Sequence, residues 1–191
     1  MEHQQRIEAA YSAAVSGIQE DWFTEQPAFA WHNYVANLPK HLQVTYLIVV
    51  LHKQVVNGTF DQYFSNGYGL LFAELAANAF MEVGAKKGAL LITNAIALLK
   101  KQAFKMKYNW GFASLESHDL ISILNSPKVN IELEDISDDY LDEYYSTEMS
   151  NKLLELLGSY LQKKFSSSLL TTTFLHSTHQ FLQNAGPDEL T

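Results

Sequence analysis

Carboxylate side chains are concentrated in one segment, where they could act as paired acids and bases or form a surface for a cationic partner. The segment 131–148 carries eight acidic residues and no lysine or arginine. The whole chain has 21 acidic and 13 basic residues, so the rest of the chain is neutral. A general acid–base pair needs burial to shift its pKa values, whereas a crowded, exposed row of acids favours recognition of a basic surface.

A helix over residues 135–146 would align five of these carboxylates on one face, at spacings of three and four. Ile136, Tyr140 and Tyr144 would then face the core. The N-cap of this helix is predicted to be Asp135 or Ser137. The predicted partner-binding face consists of Asp135, Asp138, Asp139, Asp142 and Glu143.

Two alternatives leave this acidic face without a partner. Its side chains could be solvated, or they could be neutralised by the main group of lysines in the chain. That group is Lys100, Lys101, Lys105 and Lys107. Direct nucleic-acid binding is not expected, because phosphate contacts need more clustered lysine and arginine than this sequence has.

Catalytic and cofactor motifs are absent from the sequence. It has no phosphate-binding loop, no dinucleotide-binding fingerprint, no HExxH and no GxSxG. The chain has no cysteine, which excludes disulfides and thiolate chemistry. His176 and His179 could share a helix face, but a metal site needs one or two further ligands. We therefore predict no catalytic residue, no metal, no cofactor and no enzymatic activity.

The hydrophobic periodicity predicts an all-α fold, a compact multi-helix single domain. Residues 1–165 are assigned to this domain, and 166–191 to a C-terminal extension, helical or irregular, that is packed at least in part. The densest apolar run, 46–51, is too short to cross a membrane, so we expect a cytoplasmic protein without a membrane partner. The predicted helices are 2–20, Pro39 to Asn57-Gly58, 60–66, 71–84, 88–107, 117–124, 135–146 and 148–165.

The helix predicted over 88–107 has a clear apolar side, and a five-residue set on it is expected to point inward. This set is Leu91, Ala95, Leu98, Leu99 and Phe104.

The segment 55–66, with the sequence VVNGTFDQYFSN, resembles the signature of a known bacterial family. That family contains a DNA-mimic protein and is otherwise described as a domain of unknown function. Its pattern is Asn-Gly-(Gly)-Phe-x-Gln-Tyr/Phe-Phe-x-Asn, followed by a helix that ends in Gly-Ala, here Gly84-Ala85. The resemblance covers about residues 44–165. Thr59 stands where a second glycine is usual, and Gln54 where an acidic residue is expected.

This resemblance implies an all-helical fold, dimerisation and no known catalytic activity. The DNA-mimic member presents carboxylates in place of phosphates to a DNA-binding protein. The favoured hypothesis is therefore an interaction module that presents its acidic helix to a basic or DNA-binding protein. The acidic segment alone would supply about half the charge density of duplex DNA, so a homodimer would be needed to imitate a full duplex.

The signature residues are predicted to have a structural role. Asn57-Gly58 would form a turn, the aromatic residues would pack, and Gln62 and Asn66 would bond free backbone groups. The alternatives are a small-ligand-binding or enzymatic domain, with a polar pocket near Gln62, Tyr63, Asn66 and a histidine, or a toxin-neutralising immunity protein. The signature set is Asn57, Gly58, Phe60, Gln62, Tyr63, Phe64 and Asn66.

Overall fold

Helices make up nearly all of the ordered elements in the computed structural model, which describes residues 2–23, 28–111, 114–145 and 152–166. No β-strand occurs in these ranges, which confirms the all-α prediction. A 3-10 turn, Glu20–Phe23, follows the first helix. The α-helices are α1 (Glu2–Val15), α2 (Ala28–Ala36), α3 (Lys40–Ser65), α4 (Tyr68–Glu82), α5 (Lys86–Lys105), α6 (Ser117–Leu124), α7 (Pro127–Tyr144) and α8 (152–166).

Helix α3 is the central element of the fold. It packs against α1, α4, α6 and α7, while α5 packs against α4 and α7. Every residue from 43 to 48 is buried, so the helix is enclosed on all sides over this part of its length. Buried Gln43 donates from Nε2 to the carbonyl oxygens of Val35 (3.1 Å) and Ala36 (2.8 Å), so it satisfies the C-terminus of α2.

Glycines with positive φ make the two sharp connections on either side of α4. Gly67 (φ 82°) lies between α3 and α4, and Gly84 (φ 86°) lies between α4 and α5. Both conformations are open to glycine without steric cost. The predicted end of a helix at Gly84 is therefore confirmed.

Several predicted boundaries are wrong, and that of α7 matters most. Helix α7 begins at Pro127, after an N-cap at Ser126, so neither Asp135 nor Ser137 is the N-cap. Proline is well suited to the first turn because its missing N–H would have no partner there. Helix α1 ends at Val15 instead of residue 20. The part of the proposed extension beyond residue 166 lies outside the described residues.

The expected inward position of Phe104 is also wrong. Its side chain is 83% exposed. Ala103, one residue earlier, continues the buried side of α5 from Leu99. Because a helix turns by about 100° per residue, the Phe104 side chain lies about 100° around the helix from Ala103 and outside the buried side.

The helix stop predicted at Asn57-Gly58 and the short helix predicted after it are confirmed, and the two helices follow each other across a break within α3. Gly58 (φ −173°, ψ 32°) and Thr59 (φ 66°, ψ −177°) are not helical, and one further turn follows them. The Thr59 conformation belongs to a region of the φ/ψ map that is occupied almost only by glycine. Thr59 therefore stores backbone strain at this break.

Replacing Thr59 with glycine is expected to stabilise the protein by about 1 kcal/mol. Relief of about 1–3 kcal/mol of strain should exceed the entropic cost of glycine, about 0.5–1 kcal/mol. The change also removes the hydrogen bond from the Asp61 N–H to Thr59 Oγ1 (3.3 Å), which reduces the gain. Chemical denaturation of Thr59→Gly measures the difference. Thr93→Gly in α5, where the backbone is helical, is the control and should lose stability. Equal losses of stability in both variants would show that the Thr59 backbone is not strained.

Candidate functional site

Helix α7 separates an acidic face from a buried face. Five of its residues are buried against the core: Val129, Leu133, Ser137, Tyr140 and Tyr144. Asp135, Asp138, Asp139 and Asp142 are exposed, and we call these four the acidic face. At about 100° per residue, the acidic face is centred about 180° from the buried face. The core contacts of α7 therefore hold these carboxylates toward solvent.

No ion pair to the acidic face occurs within the part of the chain that the structure describes. Glu143, the fifth predicted residue, is different. Its carboxylate is bridged by Lys152 of α8 and by Lys87 of α5, the latter at 3.3 Å. The hydrogen bond from Lys152, helped by Lys87, lowers the pKa of Glu143. Glu143 thus connects α7 to its neighbouring helices instead of extending the acidic face.

The lysine group that could have neutralised the acidic face does not pair with it in the described ranges. Lys100 Nζ lies 2.7 Å from Glu74 Oε1. No ion pair joins Lys101, Lys105 or Lys107 to the acidic face among the described residues. At the start of α7, Lys128 pairs with Glu132 (3.3 Å), one turn away. Among the residues that the structure describes, the four aspartates therefore have no compensating ion pair.

The axial spacing of the acidic face can be compared with that of a nucleic-acid strand. Asp135 and Asp142 are separated by a helical rise of about 10.5 Å, so the four carboxylates have a mean axial spacing of about 3.5 Å. One strand of duplex DNA carries a phosphate about every 3.4 Å of axis, and the two strands together carry one every 1.7 Å. A single α7 therefore matches one strand in axial charge spacing.

The buried face of α7 is bonded to the segment that follows the break in α3. The Ser137 hydroxyl donates to the Leu133 carbonyl (2.7 Å) and accepts from the Phe60 N–H (3.0 Å). The break leaves this N–H without a partner in its own helix, so Ser137 supplies the missing acceptor. The acidic helix and the signature segment are thus held together by a buried hydrogen bond.

Tyr140 makes the second polar contact beneath α7. Its hydroxyl lies 3.1 Å from His52 Nδ1 on α3. Burial lowers the pKa of His52 and raises the pKa of Tyr140 well above that of a free tyrosine. Both groups are therefore neutral near pH 7, and the contact is a hydrogen bond between uncharged partners.

Removing the Ser137 hydroxyl is expected to lower the free energy of unfolding by about 1–3 kcal/mol. Ser137→Ala leaves the buried Phe60 N–H without an acceptor, and this desolvation penalty is much larger than the loss of a solvated hydrogen bond. Urea denaturation of Ser137→Ala checks the value. Ser122→Ala is the control, since the exposed Ser122 hydroxyl bonds only within its own helix. A loss no greater than that of the control would reject the capping role.

The signature residues divide into a packed aromatic set and a polar set. Phe60, Tyr63 and Phe64 are fully buried in the core. Gln62 and Asn66 do not bond backbone groups as predicted. Both donate to the side-chain oxygen of one residue, Gln54, at 3.1 and 2.8 Å.

Gln54 is the contact that sequence reasoning missed. A straight helix would separate it from Gln62 by about 12 Å along the axis. The break at Gly58 brings the two side chains together, and a Cβ at Gly58 would overlap the Gln62 side chain. Asn57, at the edge of the break, is exposed.

Comparison with known families identifies the group to which this chain belongs. The family model described as DMP19-like protein matches residues 36–164. The chain is a member of the DMP19-like protein family. No curated protein and no solved structure matches it.

Membership in the DMP19-like family confirms the resemblance predicted from the sequence, although the match begins at residue 36 instead of about 44. The matched range contains the break in α3, the signature segment and the whole of α7, while α1 lies outside it. Both features of the candidate site therefore belong to the part of the chain that is shared with the family.

A membrane span and a metal site are two further features for which the described part of this DMP19-like chain can be searched. No helix among the described residues is both long and apolar enough to span a bilayer. The same residues contain no group of three or more histidine, aspartate or glutamate side chains placed to hold a metal ion. His176 and His179 lie outside the described residues.

Proposed function

We propose that this protein is a non-enzymatic interaction module that presents the acidic face of α7 to a basic, DNA-binding protein in the cytoplasm. The observation that carries the proposal is the exposure of four aspartates that have no ion-pair partner in the described ranges. Uncompensated charge on a rigid helix attracts a cationic surface and accelerates association. Membership in the DMP19-like family also supports a DNA-mimic-like role.

The proposed mode of action is imitation of a phosphate row. Carboxylates spaced like the phosphates of one strand would occupy the lysine and arginine side chains with which the partner contacts DNA. A homodimer that places two acidic faces side by side would supply the second row of a duplex. The partner would then be blocked for as long as the complex lasts.

A toxin-neutralising protein would use the same acidic face. The two functions differ in the partner, because only the proposed function requires a partner that binds DNA. The polar-pocket alternative is less well supported, because the Gln62 and Asn66 amides both donate to Gln54 and Tyr63 is buried. These groups are therefore already used in holding the break together.

Capture and competition test the proposal directly. The full chain is immobilised and exposed to extract of its native host, and the bound protein is identified and purified. We expect a basic protein that excess duplex DNA displaces and whose dissociation constant rises steeply with salt. A captured protein that remains bound in excess DNA and at high salt would overturn the proposal.

A further inference from the structure

We propose a second binding site, for a phosphate monoester dianion, in the groove between α5 and the start of α7. Its charged groups are the side chains of Lys101, Lys105 and Lys128. They line a small cavity together with Leu98, Gln102, Val129 and Glu132. The site is separate from the acidic face and does not depend on its function.

The size of the cavity suits one oxygen atom of an anion. Its volume is about 10 Å³, at the lower limit for holding a single water molecule. Leu98 and Val129 contribute apolar walls, and the three lysines supply cationic donors. A phosphate could therefore insert one oxygen between the helices while its other oxygens remain at the mouth, within reach of the flexible lysine side chains.

The local charge is positive although the chain carries a net charge of −8. Residues 83–115 contain six lysines and no acidic residue. Lys101 and Lys105 are one helical turn apart and have no carboxylate partner among the described residues. Like charges at this spacing repel each other, and a bound anion would relieve the repulsion.

The N-terminus of α7 lies beside the same groove, since Lys128 and Val129 line it. Ser126, the N-cap, makes no side-chain capping bond. Its hydroxyl instead accepts a hydrogen bond from Gln102 Nε2 (3.2 Å). Because Pro127 has no N–H, the uncapped amides of the first turn are those of Lys128 and Val129, and the helix dipole favours an anion near them.

Glu132 opposes an anion, because its carboxylate also faces the groove and pairs with Lys128 at 3.3 Å. This opposing charge predicts modest affinity. The three lysines outnumber Glu132, and the net positive charge of the lining favours doubly charged over singly charged anions. The ligand is therefore assigned as a phosphate monoester, either free or attached to a protein side chain.

Calorimetric and NMR titrations with inorganic phosphate at constant ionic strength test the site. We expect saturable binding in the millimolar range, with shifts at residues 101, 105 and 128. Lys101→Gln with Lys105→Gln should weaken binding at least about tenfold, since two of the three cationic donors are lost. Lys86→Gln with Lys107→Gln removes the same charge elsewhere in the lysine-rich segment and should leave binding unchanged.

Absence of saturable binding, or equal weakening in both double variants, would overturn the site. A phosphoserine peptide that binds more tightly than inorganic phosphate would identify a phosphorylated protein segment as the source, whereas equal affinity would identify a free phosphate compound. Asp138→Lys with Asp142→Lys should not abolish phosphate binding, so the outcome is independent of the proposed function.

Discussion

Asp138→Lys combined with Asp142→Lys is expected to weaken partner binding at least about 100-fold. The two residues lie one turn apart on the acidic face, and each reversal places a cation against a cationic partner. Juxtaposed like charges at an interface cost several kcal/mol, and about 2.7 kcal/mol corresponds to 100-fold. The dissociation constant of the purified partner, measured at moderate salt, gives the effect. A plot of the logarithm of the dissociation constant against the logarithm of the salt concentration should also have a smaller slope.

The control for this experiment is a double variant with the same change in net charge. Glu20→Lys with Glu155→Lys alters two exposed acids outside α7 and likewise raises the net charge from −8 to −4. It should retain most of the affinity. Thermal unfolding of both variants should stay near the parent, because exposed substitutions usually change stability by no more than about 0.5 kcal/mol. Undiminished binding by a folded Asp138/Asp142 variant would reject the acidic face.

The orientation of α7 is the feature that sequence periodicity predicted best. Ile136, Tyr140 and Tyr144 were expected to face the core, and Tyr140 and Tyr144 are buried while Ile136 is partly buried. Spacing alone is sufficient here, because a helix with one apolar stripe has only one way to bury it. The start of α7 was misplaced by eight residues because the polar residues after Pro127 weaken the apolar pattern.

Contacts between distant segments could not be predicted from spacing. The bridges from Lys87 and Lys152 to Glu143 depend on how α5 and α8 pack against α7. Within α3, the Asn57-Gly58 signal and the aromatic spacing after it correctly indicated a stop and a second short helix, but they could not show which distant residue bonds to the break. That residue is Ser137, 77 positions away from Phe60, which accepts the Phe60 N–H.

The acidic helix and the signature segment form one structural unit. Ser137 bonds to Phe60, and the Tyr140 ring packs edge-on against Phe60 at a centroid distance of 5.7 Å. The same α7 backbone places the four aspartates on its opposite side. A defect in the packed side of α7 should therefore alter the presentation of the acidic face, even though no aspartate has been changed.

Tyr140→Ala is expected to lower the free energy of unfolding by about 3–5 kcal/mol, the range for removal of a buried aromatic side chain. Tyr140 has no exposed surface, and its ring contacts Phe60, Phe80 and Tyr144 at centroid distances of 5.0–6.1 Å. Its removal would leave a cavity between α7 and α3. For a chain of 191 residues, we expect the melting temperature to fall by about 6–20 °C. Calorimetry and denaturant titration measure both quantities.

Tyr140→Phe separates the packing of the ring from its hydrogen bond. This variant keeps the aromatic contacts and loses only the bond to His52, so we expect a loss of about 0.5–1.5 kcal/mol. Its affinity for the partner should equal that of the parent, because α7 remains docked. Tyr140→Ala should bind more weakly as the temperature approaches its lowered midpoint and recover on cooling. If Tyr140→Ala lost no more stability than Tyr140→Phe, the core contacts of α7 would not be what holds the acidic face in place.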